Sequence, residues 1–450
     1  MCGFIAGEVC IGSLLDRISY RGLREYKGYK EFGDLQMAHI ALPFVNLDPK
    51  VATQPFKGSM LVGEIFNYKD LGEDYINDTH CADDIFKRDG LEGFHRFDGF
   101  WSFVTAIWDK EDLAYKVLAA TDYLSQKPIY YRTDMEVLAS EIDVLKEFGP
   151  VTRNDLFHSN VMKWGYDPSP RTPWMEIKQI PPGCYYYKGG IFPYWDWNKV
   201  KSNKCLKEDL KKSVKARLGG QREVSLLLSG GLDSTIIFSI IKDLGYNVKV
   251  FHVDNQENEW ANLAFNSFST DGDTFQSISL DEVSDMEALI IHQTPVDLGS
   301  VKPQIAMAQA IRDKGSYCVM TGDGADELFG GYRRAAEYDS QFSDVFMELP
   351  YYHNPKLDRT MMRCTIELRS PFLSSAVVKY ALQLPYSERN GEKKILKELF
   401  KDDVPKEILN RKKHALKTPE IRKDPMSKRN QNRLHWEFLT SPKVKKISIS

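Results

Sequence analysis

Paired cysteines are missing from this sequence. Its seven cysteines, at 2, 10, 81, 184, 205, 318 and 364, are odd in number, scattered and never spaced as CxxC. That pattern argues against a disulfide framework and a structural zinc site, and makes the cytoplasm the expected location. A charge excess is missing too: 60 Lys and Arg face 63 Asp and Glu, a net charge of −3, so no basic surplus advertises nucleic-acid binding. The mildly apolar start lacks a basic leader and is interrupted by Glu8, and no later run is apolar enough to cross a bilayer. Neither secretion nor membrane insertion is expected. Repeats, low-complexity blocks, a GKS or GKT phosphate loop and a GxGxxG fingerprint are all absent; the phosphate-loop kinase reading therefore fails.

What is present is enough chain for two domains, 450 residues of ordinary globular composition. Up to about residue 145 the sequence reads as short strand-like segments, "LQMAHIALPFV", "GSMLVGEIF" and "FWSFVTAIW", with a helical stretch near Asp83 to Lys87. "RTPWMEIKQIPPGCYYYKGGIFPYWDW" then predicts a hairpin and an extended crossing, which puts the domain boundary near residue 198. Beyond it, "VSLLL", "VKVFHV" and "YCVM" alternate with helical runs such as "STIIFSIIKDLG". Strands alternating with helices predict a parallel sheet covered on both faces. The fold class is thus α+β over 2–198, followed by α/β over 199–450.

Two loops carry the chemistry of the second part. "LLLSGGLDST", Leu226 to Thr235, sets two glycines and small hydroxyl residues between a strand and a helix, where backbone N–H groups approach phosphate. Asp233 would repel phosphate there unless a cation lies between, and magnesium resolves the conflict. "TGDGADELFGGYRR", Thr321 to Arg334, follows another strand and gathers Asp323, Asp326 and Glu327 among glycines. Three such carboxylates are costly to assemble without a metal or cationic partners.

These loops resemble the synthetase domain of the glutamine-dependent asparagine synthetases, relatives of the ATP pyrophosphatases; SGGLDS and GADELFGGY occur in order. The resemblance implies ATP and Mg²⁺ as cofactors. Ser229, Gly230, Gly231, Asp233 and Ser234 would hold pyrophosphate, Asp233 and Asp326 would bind the metal, and Glu327 would assist ammonia attack. "KKILKELF" and "ILNRKKHALKTP" resemble the family's C-terminal lysine region, where Lys394 and Lys413 are the candidates for phosphate binding and charge stabilisation. "TPVDLGSVKPQ", Thr294 to Gln304, is expected to contribute to the acid pocket, with Asp297 facing an amine or solvent.

The opening "MCGF" resembles the N-terminal-nucleophile amidotransferases, whose first cysteine attacks a glutamine amide. Removal of Met1 would leave the Cys2 thiol beside its own α-amine, a base of pKa about 7.7 to 8. The implied fold is an αββα sandwich followed by a domain resembling the adenine nucleotide α hydrolases. "YRG", "QP", "GEIFN" and "FDGFWSFVTAIWD" match in order and imply an amide-donor pocket of Arg21, Gly63 and Glu64, with Asp83 in "THCADDIF" as the acid that would hold the substrate amine. Against the family pattern, Ala41 stands in place of the arginine that binds the glutamine carboxylate. Val62 replaces the oxyanion-hole asparagine, and Arg24 replaces the acid of RGPD.

The implied function is an ATP-dependent, AMP-forming amide ligase that takes small-molecule substrates: an amino acid carboxylate, with nitrogen from glutamine or ammonia. No membrane or nucleic-acid partner is expected, and the family's habit points to a homodimer. Two alternatives remain open at this point. One is a specialised amidoligase of the same family, with another acid or amine and an altered glutaminase pocket. The other is a Cys2 amidohydrolase whose second domain only binds nucleotide.

Overall fold

The computed structural model describes residues 2–43, 48–201, 205–219, 223–254, 258–279, 283–331, 345–385, 388 and 392–411. In the first part, eleven strands form two antiparallel sheets. One contains β2 (Lys27–Phe32), β3 (Leu35–Ile40), β1 (Gly3–Gly7), β8 (Val137–Ala139), β7 (Tyr130–Arg132) and β9 (Ile177–Gln179), in that order. The other contains β11 (Gly190–Pro193), β10 (Cys184–Tyr187), β6 (Ala114–Thr121), β5 (Gly99–Asp109) and β4 (Ser59–Ile65).

Side-chain alternation builds the layers. Phe4 and Ala6 of β1 meet Met60 and Val62 of β4 in a core between the sheets. Ile5, which points the other way, packs with Ile11, Leu15, Ile18 and Ile142 outside the first sheet. Leu61 and Ile65 of β4 do the same beneath the helix Asp78–Asp89, through Cys81, Ala82 and Ile85. The result is an αββα sandwich, and the aromatic-rich "GCYYYKGGIFP" is the β10–β11 hairpin.

The second part is a five-stranded sheet in which every pair is parallel. Its order is β14 (Thr274–Ile278), β13 (Asn247–Val253), β12 (Glu223–Leu227), β15 (Cys318–Met320), β16 (Glu367–Arg369). Helices Leu206–Arg217 and Leu232–Asp243 cover one face, and Leu298–Asp313 and Asn354–Arg363 the other. β12 is followed in sequence by β13 on one side and pairs with β15 on the other, Leu226 opposite Met320. The strand order reverses at this point, and ligands of open α/β sheets gather at such a switch point, beyond the carboxyl ends of the strands. Both glycine-rich loops leave the sheet here. Among the described residues, no helix is long and apolar enough to cross a membrane.

Candidate active sites

Cys2 directly precedes β1 and is buried. It lines a cavity of about 50 Å³ together with Ala41, Leu42, Pro43, Ala52, Gln54, Leu61, Gly63, Glu64, Asn77, Asp78, Thr79 and Glu367. Burial pushes the thiol up from its ordinary range, and the Leu42 N–H bonded to it acts in the opposite sense. Gly63 has a φ of +112°, and a Cβ there would lie 2.0 Å from the Phe100 carbonyl oxygen, so only glycine fits.

Two residues expected in this pocket are placed elsewhere. Asp83 is buried under the sheet, where it accepts from Ser59 Oγ at 2.7 Å and pairs with Lys87 at 2.7 Å. The helix starts earlier than its apolar stretch suggested, capped by Asn77 through the His80 N–H. Asp78, in the first turn, is therefore the acid at the cavity. Its carboxylate accepts the N–H groups of Ile65 and Thr79, and burial pushes it up to about 6 against those bonds. An Asn-Asp-Thr run is a helix-start signal, and it could have identified Asp78.

Arg21 lies behind the nucleophile rather than in the cavity. Its Nε donates to the Cys2 carbonyl at 3.0 Å, and its other nitrogens pair with Glu141 at 2.6 Å and Asp358 at 2.8 Å. Arg24 is exposed.

Glu64 lines the cavity, and so does Glu367 of β16. Arg369 joins them, 2.6 Å from Glu64 and 2.6 Å from Glu367. Burial, only partly offset by Arg369, pushes the Glu64 carboxyl well up. Against burial, Arg369 holds Glu367 down to about 2. A carboxylate from the second half thus walls the cavity of the first, a feature that sequence proximity could not reveal.

In the other half, Gly230 has a φ of +67°, with the Trp260 backbone 2.3 Å from where its Cβ would be. Gly231 N–H donates to Ser229 Oγ at 3.2 Å, and Ser229 Oγ lies 3.1 Å from Ser234 Oγ. Arg411, not singled out from sequence, donates to the Gly230 carbonyl at 2.7 Å and stacks its guanidinium over Trp260. Asp233 at the start of its helix and Asp326 from the neighbouring loop converge on one ammonium, that of Lys393. Against burial, the two carboxylates hold that ammonium above its ordinary range. Lys394, the neighbour chosen from sequence, is exposed at the start of the helix Lys394–Leu399. Lys413 lies outside the described residues.

Glu327 is buried, with its Oε1 3.4 Å from His353 Nε2. His353 also lies 3.1 Å from Glu348. Lys356, buried one helical turn further on, is lowered by burial against the field of Asp323, Asp297, Glu327 and Glu348. Asp297 directs its backbone N–H at Tyr352 Oη, 3.3 Å away.

The family model for asparagine synthase matches residues 205–350 and 339–445, more than half of the chain. The chain belongs to the asparagine synthase family. A glutamine amidotransferase domain model matches residues 1–195. Among relatives, a probable glutamine-hydrolyzing asparagine synthetase of Acanthamoeba polyphaga mimivirus is 26% identical, over 96% of this chain and 86% of its own. Asparagine synthetase B of Escherichia coli K12 is 26% identical over 78% and 68%, and the nodule asparagine synthetase of Pisum sativum 25% over 92% and 77%. The fold and the enzyme class, a ligase resembling asparagine synthetase, follow from this membership.

The family implies ATP, and the residues can be tested for a fit to magnesium. Among the described residues, no group of three or more His, Cys, Asp or Glu side chains is placed to hold a metal. Magnesium needs fewer, because it takes one or two carboxylates and fills its remaining positions with phosphate oxygens and water. Asp233 and Asp326 already share one cation, so the donor set fits. Gly331 keeps that arrangement open: a Cβ there would lie 1.7 Å from Asp326 Oδ1 and 2.5 Å from Lys393 Cε. Gly331→Ala is expected to spare the fold, because only side-chain tips are displaced, yet to lower AMP formation by about 10² through loss of Asp326 alignment. Thermal unfolding beside an AMP assay checks both parts.

Proposed function

We propose that the protein adenylates an amino acid carboxylate with ATP and aminates it, using ammonia released from an amide at Cys2. The convergence of Asp233 and Asp326, from neighbouring strand ends at the switch point, on a single cation carries this reading. The Ser229 to Ser234 loop offers backbone N–H groups and hydroxyls to pyrophosphate at a helix start. Magnesium, when bound, would neutralise charge on the phosphates. Lys393 would pass from the two carboxylates to the phosphate oxygens once another cation takes its place. Lys356 would receive a carboxylate of the acid, and the acidic groups around it would receive an amine. Such a surround favours an amino acid, aspartate in the first instance. The carboxylate attacks the α-phosphorus and pyrophosphate leaves; ammonia then attacks the acyl carbon and AMP leaves, and Glu327 would accept the proton.

Purified protein given ATP, Mg²⁺ and aspartate should release AMP with ammonium as nitrogen source, and mass analysis should find asparagine. Cys2→Ala should abolish only amide-driven turnover. If ammonium-driven AMP formation disappeared as well, in a variant that still folds, separate amidase and ligase sites would be refuted. AMP formation only with another acid would favour the specialised amidoligase.

A further inference from the structure

The character of the Cys2 cavity narrows the class of amide it accepts. Three carboxyl groups line it, those of Glu64, Asp78 and Glu367, while among the described residues none of the side chains that line it is basic. Beside the thiol the wall is Ala41, Leu42 and Pro43; Leu42 N–H is spent on the sulfur, and Pro43 has no N–H to give. The polar neutral side chains are committed as well. Gln54 Nε2 donates to Thr79 Oγ1 at 2.9 Å while its Oε1 accepts from Leu61 N–H, and Asn77 Nδ2 donates to the Val51 carbonyl at 2.9 Å. A carboxylate entering this space would meet Asp78 and an apolar wall, with Glu64 and Glu367 already sharing the Arg369 guanidinium, and its desolvation would go uncompensated. An ammonium would find Asp78, whose partners among the described residues are backbone N–H groups and no cation.

We propose that the Cys2 cavity takes primary-amide donors that carry an ammonium group and no carboxylate, with Asp78 as the residue that selects them. This rests on the reading of Cys2 as the amidase nucleophile. The step balances as follows: the Cys2 sulfur bonds to the amide carbon, the C–N bond breaks, and the nitrogen leaves as ammonia with the thiol proton. Water then cleaves the thioester, giving the carboxylic acid and restoring the thiol.

Three probes separate the groups: L-glutamine, γ-aminobutyramide, which is glutamine without its carboxylate, and glutaramate, which is glutamine without its amine. Ammonia release by the full chain, with Cys2→Ala as background, should show kcat/KM for γ-aminobutyramide about tenfold or more above glutaramate and no lower than for glutamine. That ratio is the scale of one charge-assisted hydrogen bond. Asp78→Asn, which retains an acceptor for the backbone, should cost γ-aminobutyramide about tenfold and leave glutaramate unchanged or improved. Preference for glutamine or glutaramate overturns the inference, as does an Asp78→Asn variant that loses all three amides equally. If no amide is hydrolysed, the inference falls together with the donor role of Cys2. AMP formation from ammonium in the same preparation would show that the ligase reading survives that loss.

Discussion

Asp233→Ala is expected to abolish AMP formation, with a fall of about 10³ or more, the upper range for removing one preorganised electrostatic group. The carboxylate does two things at once. It would supply a metal ligand beside the pyrophosphate loop, and it balances the buried Lys393 ammonium together with Asp326. The alanine variant removes both, leaving Lys393 with half of that counter-charge. Asp233→Asn separates the roles, because the amide keeps an oxygen toward Lys393 without its charge. Asparagine should recover stability while AMP formation stays low. Conversion of ATP to AMP, measured over a range of Mg²⁺, reads the result. Undiminished turnover in the alanine variant would remove Asp233 from the metal site.

Much of this site was legible because its signals are local. SGGLDST and GADELFGG are strand-to-helix turns whose glycines and small hydroxyl residues report on their own backbone, and the parallel order then sets the two loops side by side. The sandwich was legible for a similar reason, since period-two alternation in "GSMLVGEIF" assigns Met60 and Val62 to one face and Leu61 to the other. What escaped are choices between neighbours. Lys393 and Lys394 are equivalent in composition, and only the left-handed conformation of Lys393, φ +60°, turns it inward before the helix begins. The family resemblance points to Asp83 within "THCADDIF" as the pocket acid, whereas the cavity meets the helix at its capped first turn, at Asp78. The helix Asn354–Arg363 escapes in another way. Its composition does not show where its charges go: Lys356, Asp358 and Arg359 are all buried because the first half packs over them.

That buried face predicts the second large effect. Asp358 accepts from Arg21 at 2.8 Å and from Lys127 at 2.7 Å, while Glu141 shares Arg21 and lies 3.4 Å from Arg359. Against burial, Arg21 and Lys127 hold the Asp358 carboxyl down to about 2. Its contribution to stability is therefore fully present above the unfolded carboxylate pKa of about 3.9, and is lost as pH falls through about 2. Asp358→Ala leaves two buried cations short of a partner, a change worth about 3–5 kcal/mol. For a domain of this size Tm should fall by about 6–20 °C. Function should respond unevenly, because Arg21 also holds the Cys2 carbonyl. Amide-driven turnover should drop by about tenfold or more as the nucleophile loses its fixed position, while ammonium-driven AMP formation changes far less at a temperature where the variant is folded. Paired with Arg21→Met, the double variant should be less destabilised than the sum of the two, by about 1–3 kcal/mol. A strictly additive cycle would mean that Arg21 and Asp358 are neighbours without being partners, and that the link from the ligase helix to the nucleophile runs elsewhere.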